Sequence, residues 1–231
     1  MKPINFDEII KKLGGSKSED LSNDWCIPHH FFRAIFVGSS GCGKTNLLLT
    51  LILEKMKFDK IVLVAKDLNE DKYELLRSIM VKVAESKNVP ISAVYEQYSS
   101  LSTLIGVDER PSDNKINIII FDDLISEKHQ EKIEDYFTRG RKKRFTVFYL
   151  SHRFTDTPKM IRNNATFYVI FSQRPKEVEM IYQGLVTDLD KSEFKKLFSD
   201  ATRRQYDFLT IDQSSDLKYR KNLDEVYVIR K

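Results

Sequence analysis

The run Gly38-Ser39-Ser40-Gly41-Cys42-Gly43-Lys44-Thr45 constrains this chain more than any other feature. It matches G-x-x-x-x-G-K-[ST], a pattern that carries meaning only between a strand and a helix. Both flanks are present. Residues 31–37 are short and largely apolar, as a buried strand is, and residues 46–55 are leucine-rich and long enough for a buried helix.

The residue types follow from phosphate chemistry. Gly38, Gly41 and Gly43 open backbone conformations closed to other residues. The whole loop, with Ser39, Ser40 and Cys42, is then expected to wrap a polyphosphate in backbone N–H groups at a helix start. Lys44 is expected to place a mobile charge on the β- and γ-phosphates, and Thr45 a hydroxyl on a magnesium ion. The expected cofactors are therefore ATP and Mg²⁺.

A second segment has the form of a Walker B element. Ile116-Asn117-Ile118-Ile119-Ile120-Phe121 runs into Asp122-Asp123, an apolar strand delivering two carboxylates to the sheet edge where ligands of open α/β sheets bind. Asp122 is expected to hold the magnesium ion, directly or through water. Asp123 is expected to orient and deprotonate the attacking water.

The rest of the chain reads as alternating elements. Strands are expected at 60–65, 92–95, 145–150, 165–171 and 206–211. Helices are expected at 70–85, briefly near Leu101, at 126–137 with Ser126 as cap, from Thr157-Pro158, and at 175–186 and 191–201. Tyr73, Leu76, Met80 and Val83 share one helical face and read as core packing. Residues 108–114 read as a loop. His152 ends a buried strand between the two Walker elements, where it would sense the γ-phosphate. The densest basic cluster, Arg139-Gly140-Arg141-Lys142-Lys143-Arg144, precedes that strand, and the tail is basic in patches.

Composition sets the outer bounds. With 231 residues and a 41% hydrophobic fraction, one core suffices, so residues 25–231 are expected to form a single domain behind a flexible lead-in, 1–24, holding a short helix at 6–13. The net charge of +4, from 38 basic and 34 acidic residues, does not by itself point to nucleic acid. No apolar run is long enough to span a membrane, and the N-terminus lacks the form of a signal peptide. Two cysteines do not make a disulfide framework, which suits a reducing, cytoplasmic-type compartment. Cys26, His29 and His30 lack the partners of a tetrahedral metal set and read as polar and packing residues.

Several stretches together resemble a known family. Tyr136-Phe137-Thr138-Arg139-Gly140-Arg141, Phe148-Tyr149-Leu150-Ser151-His152 and Thr157-Pro158-Lys159-Met160-Ile161-Arg162 join Gly38–Thr45 and Ile118–Asp123 over residues 31–171. This set resembles the poxvirus-type DNA-packaging ATPases of the FtsK–HerA superfamily. That family usually carries glutamine at the strand-end sensor, here His152, and often histidine after Gly-Arg, here Lys142. The resemblance implies a RecA-like, additional-strand P-loop NTPase: α/β, a mostly parallel sheet with helices on both faces. It also implies a homo-oligomeric ring with ATP between neighbours, Arg139 or Arg141 as a trans finger, and Arg162 as the runner-up.

The function so implied is an ATP-driven translocase that packages a double-stranded DNA genome without reading its sequence. Its partners would include capsid proteins, and its place the host cytoplasm or the virion. Lys142, Lys143, Arg203, Arg204, Lys218 and Arg220 are candidate phosphate contacts by charge alone. Another FtsK–HerA-like pump or repair ATPase, a small-molecule kinase and a nucleotide-gated assembly factor are the alternatives. The paired Asp122-Asp123 argues against a pure binder, which needs no catalytic carboxylate.

Overall fold

Apolar runs too short to span a membrane pair side by side, and the resulting sheet organises the fold in a computed structural model that describes residue 23, residues 25–216 and residues 218–229. Strands β1 (Arg33–Val37), β2 (Lys60–Ala65), β3 (Tyr95–Tyr98), β4 (Asn117–Asp122), β5 (Phe145–Ser151), β6 (Phe167–Phe171), β7 (Phe208–Asp212), β8 (Tyr219–Lys221) and β9 (Glu225–Val226) form it. Their order is β3-β2-β4-β5-β1-β6-β7-β8-β9. From β3 to β6 every pairing is parallel; from β6 to β9 every pairing is antiparallel. β5 lies between β1 and β4, the strand insertion expected of the additional-strand class.

The inner strands are buried on both faces, which is why they read as continuous apolar runs. One face packs Phe36, Leu63, Ile120 and Phe148 under α1 (Lys44–Thr50) and α2 (Asp71–Lys87). The other packs Val37, Val64, Phe121 and Tyr149 under α3 (Gln130–Arg139), α4 (Lys159–Asn164), α5 (Pro175–Gly184) and α6 (Lys191–Ala201). Tyr73, Leu76 and Met80 are buried as the periodicity predicts; Ala84 completes that stripe, and Val83 is only partly covered. Asp190 caps α6 in a reciprocal box with Glu193.

Several boundaries differ from expectation for local reasons. α1 continues as one π-helical turn over Leu51–Lys55. Ile91–Ala93 is a 3₁₀ turn and the strand begins at Tyr95; Leu101 is buried in a turn rather than a helix. α3 starts at Gln130, not Ser126, because His129 adopts positive φ and interrupts the helix. The Gln130 side chain instead donates to the Leu124 and Glu127 carbonyls. Pro158 is the cap of α4 rather than its first residue. The last predicted strand begins at Phe208, leaving Tyr206 in a turn. The tail, read only as basic patches, adds β8 and β9. The predicted helix at 6–13 and the basic residues Arg230 and Lys231 lie outside the described residues, as does all of the lead-in but Asn23.

Charge is also used inside the fold. Arg220 is buried in β8, donates to the Cys26 carbonyl at 3.1 Å and faces Asp212 at 3.6 Å, so it is not a surface contact for DNA. Cys26 is in the core, and His30 Nδ1 lies 3.0 Å from Thr146 Oγ1, consistent with packing roles. At the far edge, Glu96 accepts hydrogen bonds from Lys60 (2.5 Å), Arg110 (2.7 Å) and Tyr98 (2.9 Å). Arg110 also donates to the Tyr136 hydroxyl at 2.8 Å, tying loop 108–114 to α3.

Removing one member of such a buried pair strands the other. Arg110→Met is expected to destabilise the protein by roughly 3 kcal/mol, read as a lower urea midpoint. Burial acts to raise the Glu96 pKa, but hydrogen bonds from Lys60, Arg110 and Tyr98 hold it below its ordinary 4.5. That stability is present above 4.5 and lost as pH falls through the depressed value, so Glu96→Gln should flatten the acid limb of the stability curve.

Candidate functional site

The parallel register brings the site together. Val37 pairs with Ser151, and Asp122 with Leu150, so β1, β5 and β4 end level at the carboxyl edge. The glycine loop leaves β1 there, anchored by the Gly38 N–H to the Ser151 carbonyl at 3.1 Å. Gly41 (φ +75°) and Gly43 (φ +105°) adopt left-handed backbone that other residues resist. A Cβ on Gly38 would overlap Cys42 Sγ and lie 2.9 Å from Phe171 Cβ, so only glycine fits.

Gly43 caps α1 without any side-chain hydrogen bond, and no acidic residue occupies the first turn. The first-turn N–H groups are therefore open to an anion. Lys44 is buried, with Nζ donating to the carbonyls of Gly38 (2.6 Å) and Ser39 (3.1 Å). Both acceptors are neutral carbonyls, which suits their exchange for phosphate oxygens. Ser39, Ser40 and Gly41 are exposed at the loop tip.

Across β5, Asp122 ends β4 and accepts a short hydrogen bond from the Tyr73 hydroxyl. Thr45 is also a hydrogen-bond partner of that hydroxyl, so Tyr73 links the two expected magnesium ligands. Burial raises the Asp122 pKa; the Tyr73 hydrogen bond and the Lys44 charge oppose it, while Asp123 adds to it. A desolvated carboxylate beside a hydroxyl is an all-oxygen donor set that fits a hard divalent cation. Asp123 follows at φ +53°, a conformation tolerated by aspartate, and its Oδ1 lies 3.6 Å from His152 Nε2. The two side chains are both about half exposed and form a polar pair facing outward.

A sequence model of the family described as Poxvirus A32 protein matches residues 25–223. The chain belongs to that family. No curated protein matches it in sequence. Among solved structures it is similar to the genome packaging NTPase B204 from Sulfolobus turreted icosahedral virus 2. In complex with AMP, B204 is 14% identical with a TM-score of 0.55, the match covering 87% of this chain and 98% of B204. In complex with sulfate the values are 15% and 0.57, over 83% and 96% of the two chains. At such identity the likeness establishes a shared fold.

In this A32-family chain, Gly38–Thr45, Asp122, Asp123 and His152 converge, whereas the arginines do not. Arg139 ends α3 and Arg141 lies in the following 3₁₀ turn, both at the amino edge where β5 begins. That edge lies roughly 20 Å from the glycine loop, the length of β5. Arg139 pairs there with Asp108 and, at 2.6 Å, with Asp135, while Arg141 is exposed. Arg162 is half-buried with its guanidinium 5.0 Å from the centre of the Phe154 ring.

Three features escaped the sequence reading. Tyr73 looked like one more core residue; only the pairing of Ala65 with Asp122 sets the start of α2 beside the carboxylate. Arg153 and Arg174 line a cleft of about 460 Å³ over Ser39, Ser40 and His152, brought there by the ends of β5 and β6. A neighbouring cleft joins the glycine loop to Arg204 and Tyr206. Among the described residues, no helix is long and apolar enough to cross a membrane.

The raised Asp122 pKa means that its ionised form is disfavoured by folding. Stability is greatest with the carboxyl protonated and falls as pH rises through its folded value. Asp122→Asn is therefore expected to raise the urea midpoint of the nucleotide-free protein at neutral pH. The gain should vanish as pH falls through the carboxylate range.

Proposed function

We propose that this protein is an ATPase that drives double-stranded DNA into a viral capsid, working as a ring of identical subunits. The observation that carries the reading is the level alignment, across β5, of a phosphate loop with Asp122, Asp123 and His152. Family membership and the description of B204 as a genome packaging NTPase, studied with AMP and ATP-gammaS, support it. Residues 25–231 act as the motor unit, in the host cytoplasm or on the virion, with capsid proteins as partners.

The roles follow from the geometry. Lys44 exchanges two loop carbonyls for phosphate oxygens, and open N–H groups at the start of α1 add to the cradle. Thr45 and Asp122, held by Tyr73, supply oxygen ligands for Mg²⁺, which would neutralise charge on the phosphates. Asp123 accepts the proton of the attacking water, and His152 beside it communicates the change to the loop after β5. Arg153 and Arg174 add positive charge above the glycine loop within the same subunit.

Arg139 and Arg141 sit at the wrong end of the sheet to serve their own subunit's site. Either can act only on a neighbour, as a trans finger requires. The pairs that hold Arg139 are surface ion pairs, weak enough to exchange for a phosphoryl group. Arg141, Lys142 and Arg203 remain exposed for sequence-blind contact with DNA phosphates. Lys143 is already engaged with the Arg110 carbonyl and Ser112, and Lys218 with the Val186 carbonyl.

Steady-state ATP hydrolysis with and without long double-stranded DNA tests the proposal. DNA should stimulate turnover, less so at high salt. Lys44→Ala should abolish turnover by removing nucleotide binding. Arg139→Ala should lower it on the order of a thousandfold while ATP still binds. Turnover indifferent to DNA and to Arg139 would overturn the translocase reading in favour of a kinase or assembly factor.

A further inference from the structure

The site is polarised along the sheet. Asp122, Asp123 and His152 leave β4 and β5, on one side of the glycine loop; β6 and β7 lie on the other. A ligand whose phosphates face the carboxylates must project its remaining part toward β6 and β7.

A cleft of about 280 Å³ opens on that side, walled by Gly41, Cys42, Phe171, Arg204 and Tyr206. It falls just below the range for pockets that enclose whole drug-sized ligands, a size suited to part of a nucleotide. Tyr206 is its notable feature. The residue is 60% exposed, and its ring lies 3.6 Å from where a Gly43 Cβ would stand. Its backbone has φ +70°, a left-handed conformation that is an outlier for a bulky aromatic.

The turn carrying Tyr206 is held in place. The Asp207 N–H donates to the Arg204 carbonyl at 3.2 Å, and Asp207 accepts from Asn222 at 3.2 Å and faces Lys221 at 3.8 Å. Below it, Phe171 packs against Phe208 with ring centroids 5.2 Å apart. A strained, exposed aromatic is thus mounted on a rigid support beside the phosphate loop. Packing does not explain it, since most of the residue is exposed.

We infer that Tyr206 is a stacking platform for the base of a nucleoside triphosphate and that this cleft is the base subsite. The inference rests on the reading of Gly38–Thr45 as a phosphate site. Aromatic stacking tolerates any base, so Tyr206 separates nucleotides from bare polyphosphate rather than one base from another.

Calorimetric binding of magnesium ATP and of magnesium tripolyphosphate to the full chain tests it. Wild type should bind ATP on the order of tenfold more tightly than tripolyphosphate. Tyr206→Ala should lose that margin while its tripolyphosphate affinity stays unchanged, which also shows the loop intact. Tyr206→Phe, which keeps the ring face, should bind ATP within about twofold of wild type. Unchanged ATP affinity in Tyr206→Ala overturns the platform and leaves the phosphate site standing. Equal losses of both ligands in Tyr206→Ala overturn it as well, by making Tyr206 a support of the loop. Failure of wild type to bind either ligand overturns the phosphate-site reading itself.

Discussion

Everything in the site depends on β5 being hydrogen-bonded on both sides. Its parallel pairing with β1 and β4 puts the ends of three strands at one level. A slip of one residue would turn every side chain of β5 to the opposite face, moving each from the core it fits into the other. Alternating Phe148 and Leu150 against Val147 and Tyr149 prevents this, because the two faces belong to two separate cores. Packing sets the register, and the register sets the distance between phosphate loop and carboxylates.

The site itself accumulates unfavourable terms that the cores must offset. Lys44 is buried with only neutral acceptors, Asp122 is desolvated, and Asp123 adopts positive φ. Burying Lys44 and Asp122 is costly in the free protein, and on the proposed reading a magnesium-bound polyphosphate would relieve that cost. That is the expected signature of a binding site built in advance of its ligand. The opposite edge is different in kind. There Arg110 links Glu96 to Tyr136 of α3, and Arg139 at the end of that helix is presented outward.

Much of the site was legible because its chemistry is local in sequence. Glycine, lysine and threonine must be adjacent to make one phosphate cradle, and Asp122-Asp123 must follow an apolar run to reach the sheet edge. Short-range rules were less reliable where backbone conformation depended on function. Ser126 has the composition of a helix cap, yet positive φ at His129 delays the helix to Gln130. Arg220 has the composition of a surface residue, yet antiparallel pairing buries it against Asp212 and the Cys26 carbonyl.

The amino-acid sequence alone thus determined the glycine loop between β1 and α1, the apolar strand ending in Asp122-Asp123, the parallel α/β class and the basic cluster before β5. Each is written in contiguous residues whose physical demands are local. Only the tertiary structure decided that Tyr73 serves Asp122 and Thr45, that Arg139 and Arg141 lie away from their own loop, and that Tyr206 stands beside Gly43. Those relations join segments far apart in the chain through sheet order and register, which no local pattern encodes.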